Sequence, residues 1–251
     1  MILQETLPFD LGTSRPLPNI APMRMEDWLL ADECYAAQVA ERARLLRTRR
    51  EAVLQLDQEA MPAAQELLET VLDNLPDGFA RDGERVTRPD GEVVTLDRSD
   101  PLGTLGHLVQ EDLCLLEKRP GSDEHVLTGA VLCFPAGWRL AQKMMRPLTA
   151  IHIPIPEYDE MLARRVQRLF DGVQPGRALM RFNRLWYDDP VLFQPGPRRD
   201  NDDRSDPTTA PYFRSERQCL VRLPQTRAVV FSIHTYLLAR ERALALSSAE
   251  Q

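Results

Sequence analysis

The chain has 251 residues, 43% of them hydrophobic and 27% charged, with a mean hydropathy of −0.36; these values fit a soluble globular protein and exclude membrane-embedded, wholly disordered, collagen-like and low-complexity classes. Acidic residues outnumber basic ones 38 to 31, giving a formal charge of −7 and a pI near 5.3. That is the wrong sign for neutralising phosphates over a large footprint, so neither nucleic acid nor an anionic membrane surface is an expected partner.

The N-terminus MILQETLPFD lacks the basic start and apolar stretch of a signal peptide, and no apolar run approaches the roughly 18 residues of a membrane span. A cytoplasmic protein is therefore expected. Pro8, Pro16, Pro18 and Pro22 predict an extended arm over residues 1–24 that lies across another part of the fold. From about Met25 the residues Trp28, Leu29, Tyr35, Val39 and Ala43 recur at helical spacing, and nothing breaks the pattern before Pro62. This predicts one long amphipathic helix, with Arg42, Arg44, Arg47, Arg49 and Arg50 on its solvated face. AAQELLETVLDNL predicts a second helix, stopped at Pro76-Asp77-Gly78. Pro89-Asp90-Gly91 between two β-prone runs predicts a hairpin over 84–97.

A helix over 105–116 follows, then HVLTGAVLCF as a buried strand, WRLAQKMMR as a helical turn, IHIPIP as an extended segment and a helix over 159–170. RALMRFNRLWY, YFRSERQCLVRL and RAVVFSIHTYLL predict strands. PGPRRDNDDRSDPTTAP, residues 195–211, is too polar and proline-rich to pack and reads as a mobile surface loop. Helices, a hairpin and then several strands, without regular strand–helix alternation, predict an α+β domain with an antiparallel sheet spanning 1–251. Its pocket is expected on a concave sheet face roofed by helices.

No phosphate-cradling, dinucleotide-binding, hydrolase-elbow or zincin motif is present. Cys34, Cys114, Cys133 and Cys219 are far apart and form no CxxC pair, so they read as buried apolar residues in a reducing compartment. Four histidines remain. His152 lies in Ile151-His152-Ile153, stiffened by Pro154 and Pro156; such an imidazole could be aimed at an iron atom, since haem needs only one axial protein ligand. The plainer alternative is a core histidine bonded to a backbone carbonyl. His234 is on a strand and faces either the pocket or away from it. His107, near the start of a helix, is either a ligand or half exposed, and His125, at a loop edge, is set aside.

Two polar clusters stand inside apolar stretches. In VQEDLCLL one of Glu111 and Asp112 is expected to be exposed and the other to face inward, where it needs an arginine, a backbone cap or a cationic ligand. In YFRSERQCLVRLP, Arg214, Glu216 and Gln218 share one strand face, and Ser215, Arg217 and Cys219 the other. They form either a solvated outer face or a guanidinium clamp for a ligand carboxylate.

Taken together, VQEDLCLL (109–116), CFPAGW (133–138), Lys143, RPLTAIHIPIPEY (146–158), MRFN (180–183) and RSERQCLVRLPQTRAVVFSIHTYL (214–237) resemble the haem-dependent oxidative N-demethylase family, formerly a domain of unknown function. The resemblance runs from about Pro8 to Leu238. It implies a PAS-like fold, a haem b cofactor, dioxygen as co-substrate, and oxidation of a small dimethylamine-like amine to a shorter amine and formaldehyde. Because the chain carries neither a cysteine cluster nor a flavin fingerprint, the resemblance also implies a separate flavin or iron–sulfur reductase. It places the iron ligand on His152, with His234 and His107 behind it. It makes Arg181, Arg214 and Arg217, with Arg139, Lys143 and Arg146, candidates for the haem propionates. Glu111, Asp112 or Glu216 would meet the cationic amine. A PAS-like haem or small-ligand sensor without turnover is the alternative that the fold implies.

Overall fold

The computed structural model describes residues 1–9, 11, 20–152, 160–196 and 205–248, with backbone alone at residues 152, 160–164 and 248. The chain opens with β1 (Ala21–Met23), followed by α1 (Tyr35–Thr48), α2 (Arg50–Val53), β2 (Leu54–Leu56) and α3 (Met61–Leu72). The continuous helix expected over 25–62 is thus broken. It starts late because the Asp32 carboxylate accepts the Cys34 N–H at 2.8 Å in an Asx turn. It ends early because Leu54, Gln55 and Leu56 pair with a strand at the sheet edge, and that ladder outweighs local helix propensity.

A small sheet of β3 (Ala80–Asp82), β4 (Arg85–Thr87) and β5 (Val93–Thr95) contains the expected hairpin, which turns through Gly91 at φ +85°. Next comes α4 (Pro101–Leu108). Asp100 caps it by accepting the Gly103 N–H, with Pro101 in the first turn. Gly103 is required there: a Cβ would lie 1.9 Å from the Asp100 carboxylate. The sequence pattern carries this helix to residue 116. Instead, Val109 leaves helical geometry at φ −115°, ψ 159°, and residues from Asp112 form a strand. The leucine run is apolar on both sides because the strand is interior and buried on both faces, a pattern that helical periodicity does not separate from a buried helix.

The rest of the chain is β6 (Asp112–Lys118), β7 (His125–Val131), α5 (Leu140–Lys143), α6 (Leu148–His152), α7 (Glu160–Gly172), β8 (Ala178–Phe182), β9 (Leu185–Tyr187), β10 (Tyr212–Arg222), β11 (Val229–Ala239) and α8 (Arg240–Ser248). Ile151 and His152, expected to be extended, close a short helix, and the IPIP stretch after them lies outside the described residues, as does 197–204 of the expected loop. The main sheet runs β1-β8-β10-β11-β6-β7-β2, with β9 also on β10, and its strand pairs are antiparallel. The fold is α+β.

Register assigns the two faces of this sheet. Leu113, Leu115, Val131, Cys219, Val221 and Val230 point to one side and pack with α1, α3 and α4 through Leu45, Leu67, Leu68 and Leu105. Cys114, Leu116, Ala130, Leu220, Val229 and Ile233 point to the other, under Leu140, Leu148, Phe170 and Val173 of the α5–α7 region. The four cysteines are buried and free. No helix among the described residues is long and apolar enough to cross a membrane.

Candidate functional site

On the α1/α3/α4 side, strand alternation places Glu111, Arg217 and His234 beneath the segment that leads into α1. His234 Nδ1 lies 3.0 Å from Glu111 Oε1 and its Nε2 lies 3.1 Å from Asp32 Oδ2. Burial alone would lower the His234 pKa, but hydrogen bonds and charge from the two carboxylates outweigh it and raise the value to about 9. Around them Gln110 Nε2 donates to Asp32 Oδ1 at 2.8 Å and to Gln38 Oε1 at 3.1 Å, and Gln4 Nε2 donates to Asp32 Oδ2 at 3.0 Å. Arg217 Nη1 donates to the Trp28 carbonyl at 2.8 Å and Nη2 to the Asp27 carbonyl. This cluster is a lock between the N-terminal region and the sheet.

Nearby, Arg42 Nη1 meets Asp112 Oδ1 at 2.5 Å with both side chains buried. Asp112 also accepts the Cys133 and Phe134 N–H groups at 2.6 and 2.8 Å. Two expectations are corrected here. Arg42 is not on a solvated face, and neither Glu111 nor Asp112 is exposed, because each finds a cationic partner far along the chain.

The other face is built differently. Its floor carries Leu179, Leu220, Phe231 and Ile233, with Arg181, Gln218, Glu216 and Thr235 beside them. Gln218 and Phe231 belong to interior strands yet are only half buried, so this face is incompletely covered. Glu216, 7% exposed, is held from several sides: Asn183 Nδ2 donates to Oε2 at 2.8 Å, Gln218 Nε2 to Oε2 at 3.0 Å, and Arg214 Nη2 to Oε1 at 3.4 Å. Asn183 Oδ1 accepts the Glu216 N–H at 2.7 Å, fixing the backbone as well. Arg214 is buried and donates to the Leu192 and Phe134 carbonyls at 3.2 and 2.6 Å. The solvated-face reading of this strand is therefore incorrect. Three atoms on this face are left over: Arg181 Nε, Arg214 Nε and Thr235 Oγ1 are buried with no hydrogen-bond partner among the described residues. Burial lowers the Arg181 pKa, opposed by the charge of Glu216.

The roof is tied at its edges. Met145 N–H donates to the Leu127 carbonyl at 2.9 Å, Leu127 N–H to the Arg146 carbonyl at 3.1 Å, and Thr149 Oγ1 to Glu124 Oε2 at 2.7 Å. Lys143, whose pKa burial lowers, donates to the Ile151 carbonyl and holds α5 against α6. Arg139 and Arg146 are exposed. His152 ends α6 on this side; its side chain lies outside the described residues.

The sequence-derived candidates therefore divide by face. Arg181, Arg214, Glu216, Lys143, Arg146 and the α6 helix that ends at His152 belong to the roofed side. Glu111, Arg217 and His234 belong to the lock, where both His234 nitrogens are engaged by carboxylates and neither is free for iron. Asp112 is fully used by Arg42 and two N–H groups. His107 sits half buried in α4, in the layer across the sheet from the roof. Sequence reasoning missed Asp32, Asn183 and Thr235. Only Thr235 carried a signal, two residues from Ile233 on a strand, and the other two partners depend on tertiary contacts.

Fold and site together define an α+β protein with an apolar layer between an antiparallel sheet and a helical roof, bordered by a guanidinium N–H that has no partner among the described residues. Residues 19–244 match the family described as haem-dependent oxidative N-demethylase, alpha subunit-like. The chain belongs to that family, whose description implies dependence on haem and assembly with other subunits. The residues present fit such a group: a porphyrin needs apolar walls and donors for its carboxylates, and the floor offers Leu179, Leu220, Phe231 and Ile233 with the orphaned Arg181 Nε–H.

Proposed function

We propose that this chain is the haem-binding subunit of an oxidative N-demethylase, with a PAS-like core and haem b between the β8–β10–β11 floor and the α5–α7 roof. The observation that carries the reading is the pairing of a matched family with a buried Arg181 N–H that nothing among the described residues satisfies, on the face that α6 covers. His152 is the proposed iron ligand, and Arg181 the proposed propionate donor, with Lys143 and Arg146 at the roof. When bound, haem would supply the activation of dioxygen that oxidation of an N-methyl group requires. Reducing equivalents would come from a separate flavin or iron–sulfur reductase, in the cytoplasm.

Glu216 is the carboxylate proposed to receive the small methylated ammonium ion. Glu111 and Asp112 are committed elsewhere, whereas Glu216 lies on the chamber floor. Asn183, Gln218 and Arg214 hold it without reorganisation on substrate binding, which is what orienting a small cation requires.

An absorption spectrum of the purified protein, followed by formaldehyde assay with dimethylamine, dioxygen and a reductase, tests the reading. A Soret band and formaldehyde release are expected, and His152→Ala should lose the band. A full Soret band with unchanged haem stoichiometry in His152→Ala would remove the ligand assignment. Haem binding without formaldehyde would favour the PAS-like sensor. Glu216→Gln should raise KM for the amine at least about tenfold while leaving haem content unchanged, the size expected for losing a charge-assisted contact.

A further inference from the structure

A cleft of about 290 Å³ opens between the β6–β7 hairpin, the C-terminal end of α7 and the β10–β11 turn, remote in sequence from the roof segment at His152. Lys118, His125, Arg222 and Arg227 line it together with Glu117 and Asp171. The acids are already satisfied. Asp171 pairs with Lys118 Nζ at 2.6 Å and accepts Gln167 Nε2 at 3.2 Å, while Glu117 Oε2 accepts Thr128 Oγ1 at 2.5 Å.

Arg222 and Arg227 are not, and Lys118 has ammonium donors beyond the one it gives to Asp171. Arg222 is buried at 8% exposure, yet its guanidinium meets only carbonyls: Nε donates to Val173 at 3.1 Å, Nη1 to Arg227 at 2.5 Å and Nη2 to Phe170. No carboxylate lies within ion-pairing distance of it among the described residues. Arg227, held in the left-handed region at φ +65°, brings a second guanidinium to the same cleft, and it too has no carboxylate partner there. Asp171 lies in the same cleft but is paired with Lys118, so two neighbouring guanidiniums share little negative charge, an arrangement that is tolerated where a ligand supplies more.

His125 adds a directed donor. Its backbone N–H donates to Gln167 Oε1 at 3.3 Å, which orients the amide so that Gln167 Nε2 donates to ring Nδ1 at 3.0 Å. The ring proton must then sit on Nε2, and that N–H has no partner among the described residues. Burial first, and then the charge of Arg222, hold the imidazole pKa down at about 4, so it stays a neutral donor at neutral pH.

We infer that this cleft binds a small tetrahedral oxyanion, as inorganic phosphate or as the phosphate group of a small phosphorylated metabolite, through Lys118, His125 Nε2 and Arg227, with Arg222 supplying charge. The committed Arg222 fork is what favours phosphate over carboxylate. It cannot offer the planar bidentate pair that a carboxylate prefers, whereas single donors from separate elements suit an anion with several oxygens.

The test is calorimetric titration of the full chain, without any need for haem, using inorganic phosphate, glycerol phosphate and acetate in parallel. Saturable binding of either phosphate is expected, with Arg227→Gln and Lys118→Gln each weakening it about tenfold, as for loss of one charge-assisted contact. The His125 Nε2–H resonance should shift on binding in the parent protein. Tighter binding of glycerol phosphate would identify a phosphorylated metabolite as the ligand, and tighter binding of inorganic phosphate the free ion. Heats that never saturate, affinities unchanged in both variants, or binding of acetate alone would overturn the inference.

Discussion

On the lock side of the sheet the buried cations Arg42, Arg217 and His234 sit with the carboxylates of Asp32, Glu111 and Asp112, and in a low-dielectric interior these charges balance only if the imidazole keeps its proton. The His234 pKa, raised from 6.5 to about 9, therefore marks a stabilising contact that is fully present below pH 6.5 and is lost as pH rises through 9. Asp32 gives the acid limb. Burial would raise its pKa, but its bonds to His234, Gln110 and Gln4 hold it at about 2, so its contribution is present above 3.8 and lost as pH falls through 2. Urea unfolding followed between pH 6 and 10 should show stability declining through this alkaline window. His234→Leu should abolish that slope and cost about 3–5 kcal/mol at pH 7, because two carboxylates lose their common partner. A parent protein whose stability is flat from pH 6 to 10 would refute the charge assignment. The sequence placed His234 on a strand but not on a side, because a one-residue change of register reverses the face, and its partner Asp32 lies 202 residues away.

Elements were legible where their signals are local. The Pro89-Asp90-Gly91 turn, the amphipathic α3 and α7, and the alternating β10 and β11 all carry turn chemistry or periodicity that needs no distant partner. The broken α1 and the strand β6 were not, since pairing with strands remote in sequence decides both. The short α8 follows β11 directly, with no turn residue to announce it. Within α1 the same limit separates two arginines that sequence treats alike. Arg44 forms an exposed i,i+3 pair with Glu41, whereas Arg42 is buried and joins α1 to the start of β6 through Asp112. Arg42→Met should therefore destabilise by about 3–5 kcal/mol, leaving Asp112 buried and unpaired, and should speed amide exchange in both α1 and β6. Arg44→Met should leave the urea midpoint unchanged. Equal effects of the two substitutions would show that Arg42 does not join these elements.

At the scale of the molecule, the order of elements was enough to read an α+β antiparallel architecture, but not which side of the sheet carries which polar cluster. That division has consequences for stability and for ligand binding that can be separated. The lock residues pair with one another, so disturbing them costs folding energy. Arg181 is half buried and its Nε makes no hydrogen bond among the described residues, so replacing it with the shorter, uncharged glutamine removes a desolvated cation at little cost. Arg181→Gln should thus keep the parent's urea midpoint to within about 0.5 kcal/mol, while haem dissociates about tenfold faster if its guanidinium meets a propionate. His234→Gln should show the opposite pattern, with a lowered midpoint and an unmoved Soret maximum, because its ring lies across the sheet from the chamber. Measuring both variants for unfolding and for haem release separates the faces, and an Arg181→Gln protein that loses stability but releases haem at the parent rate would place this arginine among the structural groups instead.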